Sequence, residues 1–131
     1  MESMNIYLQL NPKYFPLPLD VRWLDGKMWE LLAPFEYHDR RGNVYRAEKG
    51  FKTDFGSKPW WSWSIIGSPT DEGGGAYIIH DWLCVNATWG WDKTDLIFLE
   101  AMRDSDMPYL KRIIQYLAVR VASHFKEVRD G

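Results

Sequence analysis

The sequence is poor in the features that would assign it to most specialised classes. Its 131 residues contain one cysteine, Cys84, so no intrachain disulfide can form and no oxidising compartment is required. No run of 18 apolar residues occurs, which excludes a transmembrane helix on sequence grounds. The start, Met1-Glu2-Ser3-Met4-Asn5, has neither a basic stretch nor a long apolar one, so a secretory leader is not expected. There is no basic excess: 16 Lys and Arg stand against 18 Asp and Glu, a net charge of −2. A protein that binds nucleic acid by counterion release carries the opposite balance, so nucleic acid is not an expected partner, and neither is a membrane. Zinc patterns of the CxxC or HExxH type are missing, as are GxGxxG and Walker spacings. Gly73-Gly74-Gly75 precedes a helical segment but has no phosphate-loop spacing, and reads as a turn or hinge. No internal repeat or low-complexity segment occurs.

What is present is an ordinary globular balance, 46% apolar and 26% charged, with one excess. Eight tryptophans occur, three of them in Trp60-Trp61-Ser62-Trp63. Tryptophan is large and stiff, and it concentrates in cores and at binding surfaces. Trp23, Trp29 and Trp82 fall in strand or helix segments and are expected in the core.

The length suits one domain, residues 1–131. Residues 1–20 hold Pro12, Pro16 and Pro18 and read as an irregular arm packed on the body. Residues 21–55 read as an antiparallel β meander of three to four strands, punctuated by Asp25-Gly26 and by Asp39-Arg40-Arg41-Gly42-Asn43. Residues 56–75 form a Trp-rich loop, long enough to suggest a functional segment. Residues 76–128 read as about three helices, roughly 76–87, 93–104 and 108–127. Asp92 is the expected N-cap of the second. Leu110, Ile113, Ile114, Leu117 and Val121 are the expected buried stripe of the third. Strands followed by helices without βαβ alternation give an α+β fold.

The polar residues offering chemistry lie at the junction of these parts. Gly50 to Pro59 places Thr53, Asp54 and Ser57 where a strand hands over to the loop. Asp54 could bind loop amides, ligate a metal or act as a base. His80-Asp81 sits within the first helix, where neighbouring side chains point about 100° apart, so only a site at the helix edge could use both. Asp95 is adequately explained as a first-turn acid, and Arg120 is available to pair with an acid. Cys84 reads as an inert buried thiol, with His80 the only local base. The order His38, His80-Asp81, Asp95 mimics the H…HD…D ligand set of metal phosphohydrolases. That set belongs to an all-helical scaffold, whereas His38 ends an expected strand, and the assignment is set aside.

Gly50-Phe51-x-Thr53-Asp54-Phe55-x-Ser57-x-Pro59, then His80-Asp81-x-Leu83, then Asp95-x-x-Phe98-x-Glu100-Ala101 and Ala118-Val119-Arg120 resemble a small phage and prophage family of unknown function with GFxTDFxSxP and HDxL motifs. The likeness covers about residues 29–121. Gly56, Lys58 and Trp82 depart from its usual residues, and the arm and the WWSW run lie outside the motifs. The resemblance implies a phage origin, an α+β fold, and a gathering of Thr53, Asp54, Ser57, His80, Asp81 and Asp95 in space. It implies no reaction. It places the protein in the cytoplasm of the bacterial host, with the virion as the alternative.

Two functions fit these residues. In one, the protein is a virion, assembly or host-directed interaction protein, in which the polar set is an internal network and Trp60, Trp61 and Trp63 anchor a phage or host protein; homo-oligomers are a further option. In the other, it is a metal-assisted hydrolase acting on a cell-wall or nucleotide substrate. Asp54, His80 and Asp81 would then be catalytic, and Asp54, His80 and Asp95 would hold a divalent metal. Thr53, Ser57 and the three tryptophans would bind substrate.

Overall fold

In a computed structural model of the chain, the described residues are 5–25, 28–53 and 73–130, with side chains described as far as 124. An N-terminal β part is followed by three helices, the α+β arrangement expected. The six strands are β1 (Asn5–Leu8), β2 (Leu19–Asp25), β3 (Met28–Leu31), β4 (Phe35–His38), β5 (Val44–Ala47) and β6 (Lys52–Thr53). The helices are α1 (Gly74–Asn86), α2 (Trp91–Asp104) and α3 (Tyr109–Asp130).

The strands form two sheets rather than one meander. The first runs β1-β2-β3-β6, with each neighbouring pair antiparallel. The second is the β4-β5 hairpin. The stretch between the two turns is not one strand: β3 and β4 are separated at Leu32-Ala33-Pro34, where proline removes a ladder donor. Part of the expected irregular arm is also regular. Asn5–Leu8 pairs with β2 in the register Asn5↔Arg22 to Leu8↔Leu19, ahead of the first proline. The rest of the arm anchors the sheet through Phe15, which is fully buried and stacks on Phe35 and Tyr37.

The hairpin between β4 and β5 shows how sequence dictates a turn. Asp39 accepts hydrogen bonds from the backbone amides of Arg41 (2.9 Å) and Asn43 (2.8 Å), and Gly42 takes a positive φ of 89°. Burial works against the Asp39 charge, but these amides, the Asn43 side chain and Arg41 hold its carboxyl below the usual range.

The core lies between the inner faces of the strands and the helices. Leu19, Val21, Leu31, Phe35 and Tyr37 from the strands meet Ile78, Ile79, Ile97, Phe98, Ala101 and Met102 from α1 and α2. Of the triple glycine, Gly75 has a packing reason. It lies in the first turn of α1 against the sheet, where an added Cβ would sit 2.5 Å from Leu10 Cδ1 and 2.9 Å from Phe35 Cζ. Gly73 is a turn residue and Gly75 a close-packing point in the helix that follows. Trp29 is buried, and Trp23 and Trp82 are partly buried against the core.

Two expectations for the helices change. Asp92 is not the cap of α2: Gly90 occupies that position without a side-chain cap bond, and Asp92 instead pairs with Arg120 at 2.6 Å. Of the expected apolar stripe of α3 only Ile113 is partly buried. Leu110, Ile114, Leu117 and Val121 are 69%, 37%, 56% and 58% exposed, while Gln115 and Ser123 on the other side are buried. Tyr116 and Val119 make the apolar contact of α3 with the core.

Candidate functional site

The junction of β6 with the three helices gathers the polar residues. α1 buries Gly74 to His80 and Leu83, so the face carrying His80 points inward. The following residue, about 100° round the helix, points toward the sheet. Asp81 there accepts a hydrogen bond from the Thr53 hydroxyl at the end of β6. The HD dipeptide thus serves two directions: Asp81 ties α1 to the sheet, and His80 ties it to the helices.

His80 Nε2 lies 2.8 Å from Asp95 Oδ1 in the first turns of α2. Asp95 is fully buried, and its second oxygen accepts from Arg120 Nη1 of α3 at 2.7 Å. The Ser123 hydroxyl, one turn further along α3, also bonds Asp95. The other Arg120 nitrogen reaches Asp92. One carboxylate therefore joins all three helices. A buried carboxylate without such partners would cost several kcal/mol, so the sequence must supply a cation here.

The electrostatics follow from this arrangement. Burial opposes a charge on His80, but the Asp95 hydrogen bond, with Cys84 and Asp81 nearby, outweighs it and raises the imidazole to about 9. Burial likewise opposes the Asp95 charge, and the bonds from His80, Ser123 and Arg120 bring its carboxyl below the ordinary range. His80 is thus an imidazolium at neutral pH, in an ion pair with Asp95. The His80 ring also packs against Phe98, with centroids 4.8 Å apart.

Cys84 is half-exposed, with its sulfur 3.7 Å from His80 Nε2 and 3.8 Å from Nδ1. Near-equal distances to both ring nitrogens do not aim the thiol along either nitrogen's lone pair, as a nucleophile and its base require. Two of the residues read as metal ligands, His80 and Asp95, bond each other directly, and an ion held by both would displace that contact and Arg120. Among the described residues no group of three or more His, Cys, Asp or Glu side chains is disposed to hold a metal ion. Asp54, Ser57, Trp60, Trp61 and Trp63 lie outside the described residues. His38 is remote from this junction in bonding terms, contacting Glu36 at 2.9 Å in its own strand.

A second buried carboxylate escaped the sequence reading. Asp104, at the end of α2, has a fully buried side chain that accepts from Tyr37 Oη at 2.6 Å and pairs with Arg40 and Arg103 at 3.0 and 3.1 Å. Burial and the neighbouring Asp104 push the Tyr37 phenol well above its ordinary value, so Tyr37 is a permanent donor. The partners are 67 residues apart in sequence, and no local motif announces them.

A groove opens beside this framework, between β5 and the α1–α2 corner. Its two adjoining parts measure about 460 and 330 Å³ and share Val44, Tyr45 and Trp89. Arg41, Arg46 and Lys93 are among its described lining residues; Arg41 is paired with Glu100 at 2.9 Å, and Arg46 with Glu36 at 2.7 Å and Glu48 at 3.1 Å. Trp89 is fixed as one wall by a 2.8 Å bond from its indole N–H to Thr94, and Lys93 lies 4.4 Å over its ring.

The chain belongs to the DUF1353 family, described as a protein of unknown function, whose pattern matches residues 29–119. It is similar to an uncharacterized protein of Sinorhizobium fredii, 32% identical over 96 residues. That match takes in 70% of this chain and 28% of the relative, so the chain spans little more than a quarter of that protein's length. No solved structure matches.

Proposed function

We propose that this DUF1353 chain is an interaction protein of phage origin, serving a virion, its assembly or a host-directed step, and that its buried polar set is a brace. The observation carrying this reading is the closed chain Asp92–Arg120–Asp95–His80, in which Asp95 has no exposed surface and both of its oxygens are engaged. A general base needs reach to a substrate proton, and a metal ligand needs a lone pair turned to the ion. His80 Nε2 and Asp95 Oδ1 are turned toward each other instead, and the second Asp95 oxygen is held by Arg120.

The partner surface in this reading is the groove beside β5. Lys93 over the Trp89 ring favours a segment of a phage or host protein that brings a carboxylate beside apolar side chains, and Trp89, Val44 and Leu96 offer the apolar contact. The phage attribution rests on the motif resemblance, and the expected place of action is the bacterial cytoplasm or the virion. The hydrolase reading retains one supporting observation, the Thr53 hydroxyl held by the Asp81 carboxylate at the strand end, which resembles a hydroxyl beside its base.

Complementation separates the two. In a phage or prophage deleted for the gene, a Trp89→Ala/Lys93→Glu variant is expected to fail although it folds normally. A His80→Gln variant, supplied at equal folded abundance, is expected to complement. The opposite pattern, with His80→Gln inactive and the groove variant active, overturns the proposal in favour of catalysis.

A further inference from the structure

We infer that the groove beside β5 takes its partner as an added β-strand: an extended segment of the phage or host protein, apolar at alternate positions and carrying one carboxylate, hydrogen-bonded along the outer edge of β5. The inference rests on the reading of this groove as the partner surface and specifies how the partner is held there.

The hairpin leaves that edge without a neighbouring strand. β5 belongs to a sheet of two strands, so β4 lies on one side of it only. Asp39 donates its backbone N–H to Asn43 O at 3.0 Å, and the bonded pairs of an antiparallel ladder recur at every second residue. In the register of this hairpin the next ones are Tyr37 with Tyr45 and Phe35 with Ala47. Val44, opposite His38, and Arg46, opposite Glu36, therefore turn their N–H and C=O groups away from β4. His38 shows the same alternation from the other strand: its N–H leaves the hairpin and donates to Tyr14 O of the arm at 2.7 Å. The arm thus engages the outer edge of β4. Among the described residues nothing does the same for β5, and no backbone hydrogen bond reaches Val44 or Arg46 from outside the hairpin.

The groove runs along this edge. Its lining includes Asn43, Val44, Tyr45 and Arg46 in unbroken succession. Successive strand residues point to opposite faces, so a space that touches all of them borders the edge and not one face. The opposite wall, at the α1–α2 corner, carries Trp89 and Leu96. A row of unpaired N–H and C=O groups is a template for a second extended backbone, and pockets beside it select alternate side chains. Tyr45 is buried in the core, whereas Val44 is 53% exposed. On an added strand, residues on the Tyr45 side face the helix corner and are apolar, and those between them face water. Lys93 places the charge. Arg41 and Arg46 are already paired with glutamates, whereas Lys93 lies over the Trp89 ring and no ion pair engages it among the described residues. A carboxylate on the incoming segment supplies the missing partner.

Hydrogen exchange on the full chain tests the edge itself. The amides of Val44 and Arg46 are expected to exchange fast, and those of Tyr45 and Ala47 slowly. Slow exchange at Val44 and Arg46 in the isolated chain overturns the inference. The docking mode is tested with random peptides of about eight residues, selected on the wild-type chain and counter-selected on Val44→Pro. Proline removes the outward N–H and is tolerated on an edge strand, so this variant should keep its circular dichroism spectrum; Arg46→Pro is a second variant of the same kind. The expected peptides are apolar at every second position, contain one Asp or Glu, slow exchange at Val44 and Arg46, and bind each proline variant at least ~10-fold more weakly. N-methylation at one alternate set of peptide residues should abolish binding, and at the intervening set should leave it unchanged. Peptides that tolerate both proline variants, or that lose binding equally at either N-methyl set, overturn the inference, and so does a selection that enriches nothing. Complementation distinguishes this failure from that of the groove reading. Val44→Pro should fail as Trp89→Ala/Lys93→Glu does. If Val44→Pro complements and the groove variant does not, the groove remains the partner surface and strand addition is wrong; if both complement, the groove reading falls with it.

Discussion

Replacing Asp95 by asparagine removes the charge that joins the three helices while keeping the shape. In the native protein His80 is raised from 6.5 to about 9. A group whose pKa rises on folding contributes stability that is fully present below its unfolded value and disappears as pH climbs through its folded one. For His80 that window runs from about 6.5 to about 9, and the shift corresponds to about 3 kcal/mol. Asparagine cannot hold the imidazolium, so this contribution vanishes in the variant. Arg120 keeps Asp92 but loses its buried partner, which adds to the cost. The expected loss is about 3–5 kcal/mol at pH 6, the range for breaking a buried pair, and clearly less at pH 9.5. Urea unfolding at pH 6, 7.5 and 9.5 measures both quantities. Wild-type stability should fall across that series, and the Asp95→Asn series should be nearly flat. A wild-type profile without the decline, or a variant within 1 kcal/mol of wild type at pH 6, would show that His80 and Asp95 are not paired in the fold.

Other consequences are open to the same assay. Asp95 and Asp39 both have carboxyls held below the ordinary range, so the stability they contribute is present above about pH 4 and is lost as pH falls through their folded values; Asp39→Asn should shift the acid-unfolding midpoint upward. Tyr37→Phe leaves the buried Asp104 short of one donor and should cost about 1–3 kcal/mol in urea unfolding. Gly75→Ala forces a methyl toward Leu10 and Phe35 and should cost about 1–3 kcal/mol, with a lower thermal midpoint. Thr53→Val removes the hydroxyl that ties β6 to α1, and should speed hydrogen exchange in β6 and α1 before it changes global stability much.

Much of this fold is legible in the sequence, and the reasons for the rest are physical. The three helices fall where apolar spacing puts them, and the Asp39–Asn43 turn forms because its aspartate and glycine serve local needs. The divergence of the HD pair follows from helix geometry, but the partners each side chain finds, Asp95 and Thr53, do not; Arg120 does pair with acids. Pairings over long separations are what the sequence hides. Tyr37 and Asp104 carry no spacing signal, and Asp95 has a sufficient local explanation as a first-turn acid that conceals its role as the joint of three helices. Periodicity finds the stripe on α3 but not what the stripe meets. The turned-in polar side, through Arg120 and Ser123, decides which face packs on the core. The arm shows a different limit: prolines from 12 onward mark irregular chain correctly but say nothing of Asn5–Leu8, whose pairing with β2 is set by a partner strand.

The account depends most on His80 being engaged inside the fold rather than offered to a metal or a substrate. Its imidazole carbon-bound protons, followed by NMR across pH and with zinc or manganese added, report this directly. An imidazole held by Asp95 titrates with a midpoint near 9, unmoved by either ion. A midpoint near 6.5, or a resonance that zinc shifts or manganese broadens at equimolar concentration, would contradict it.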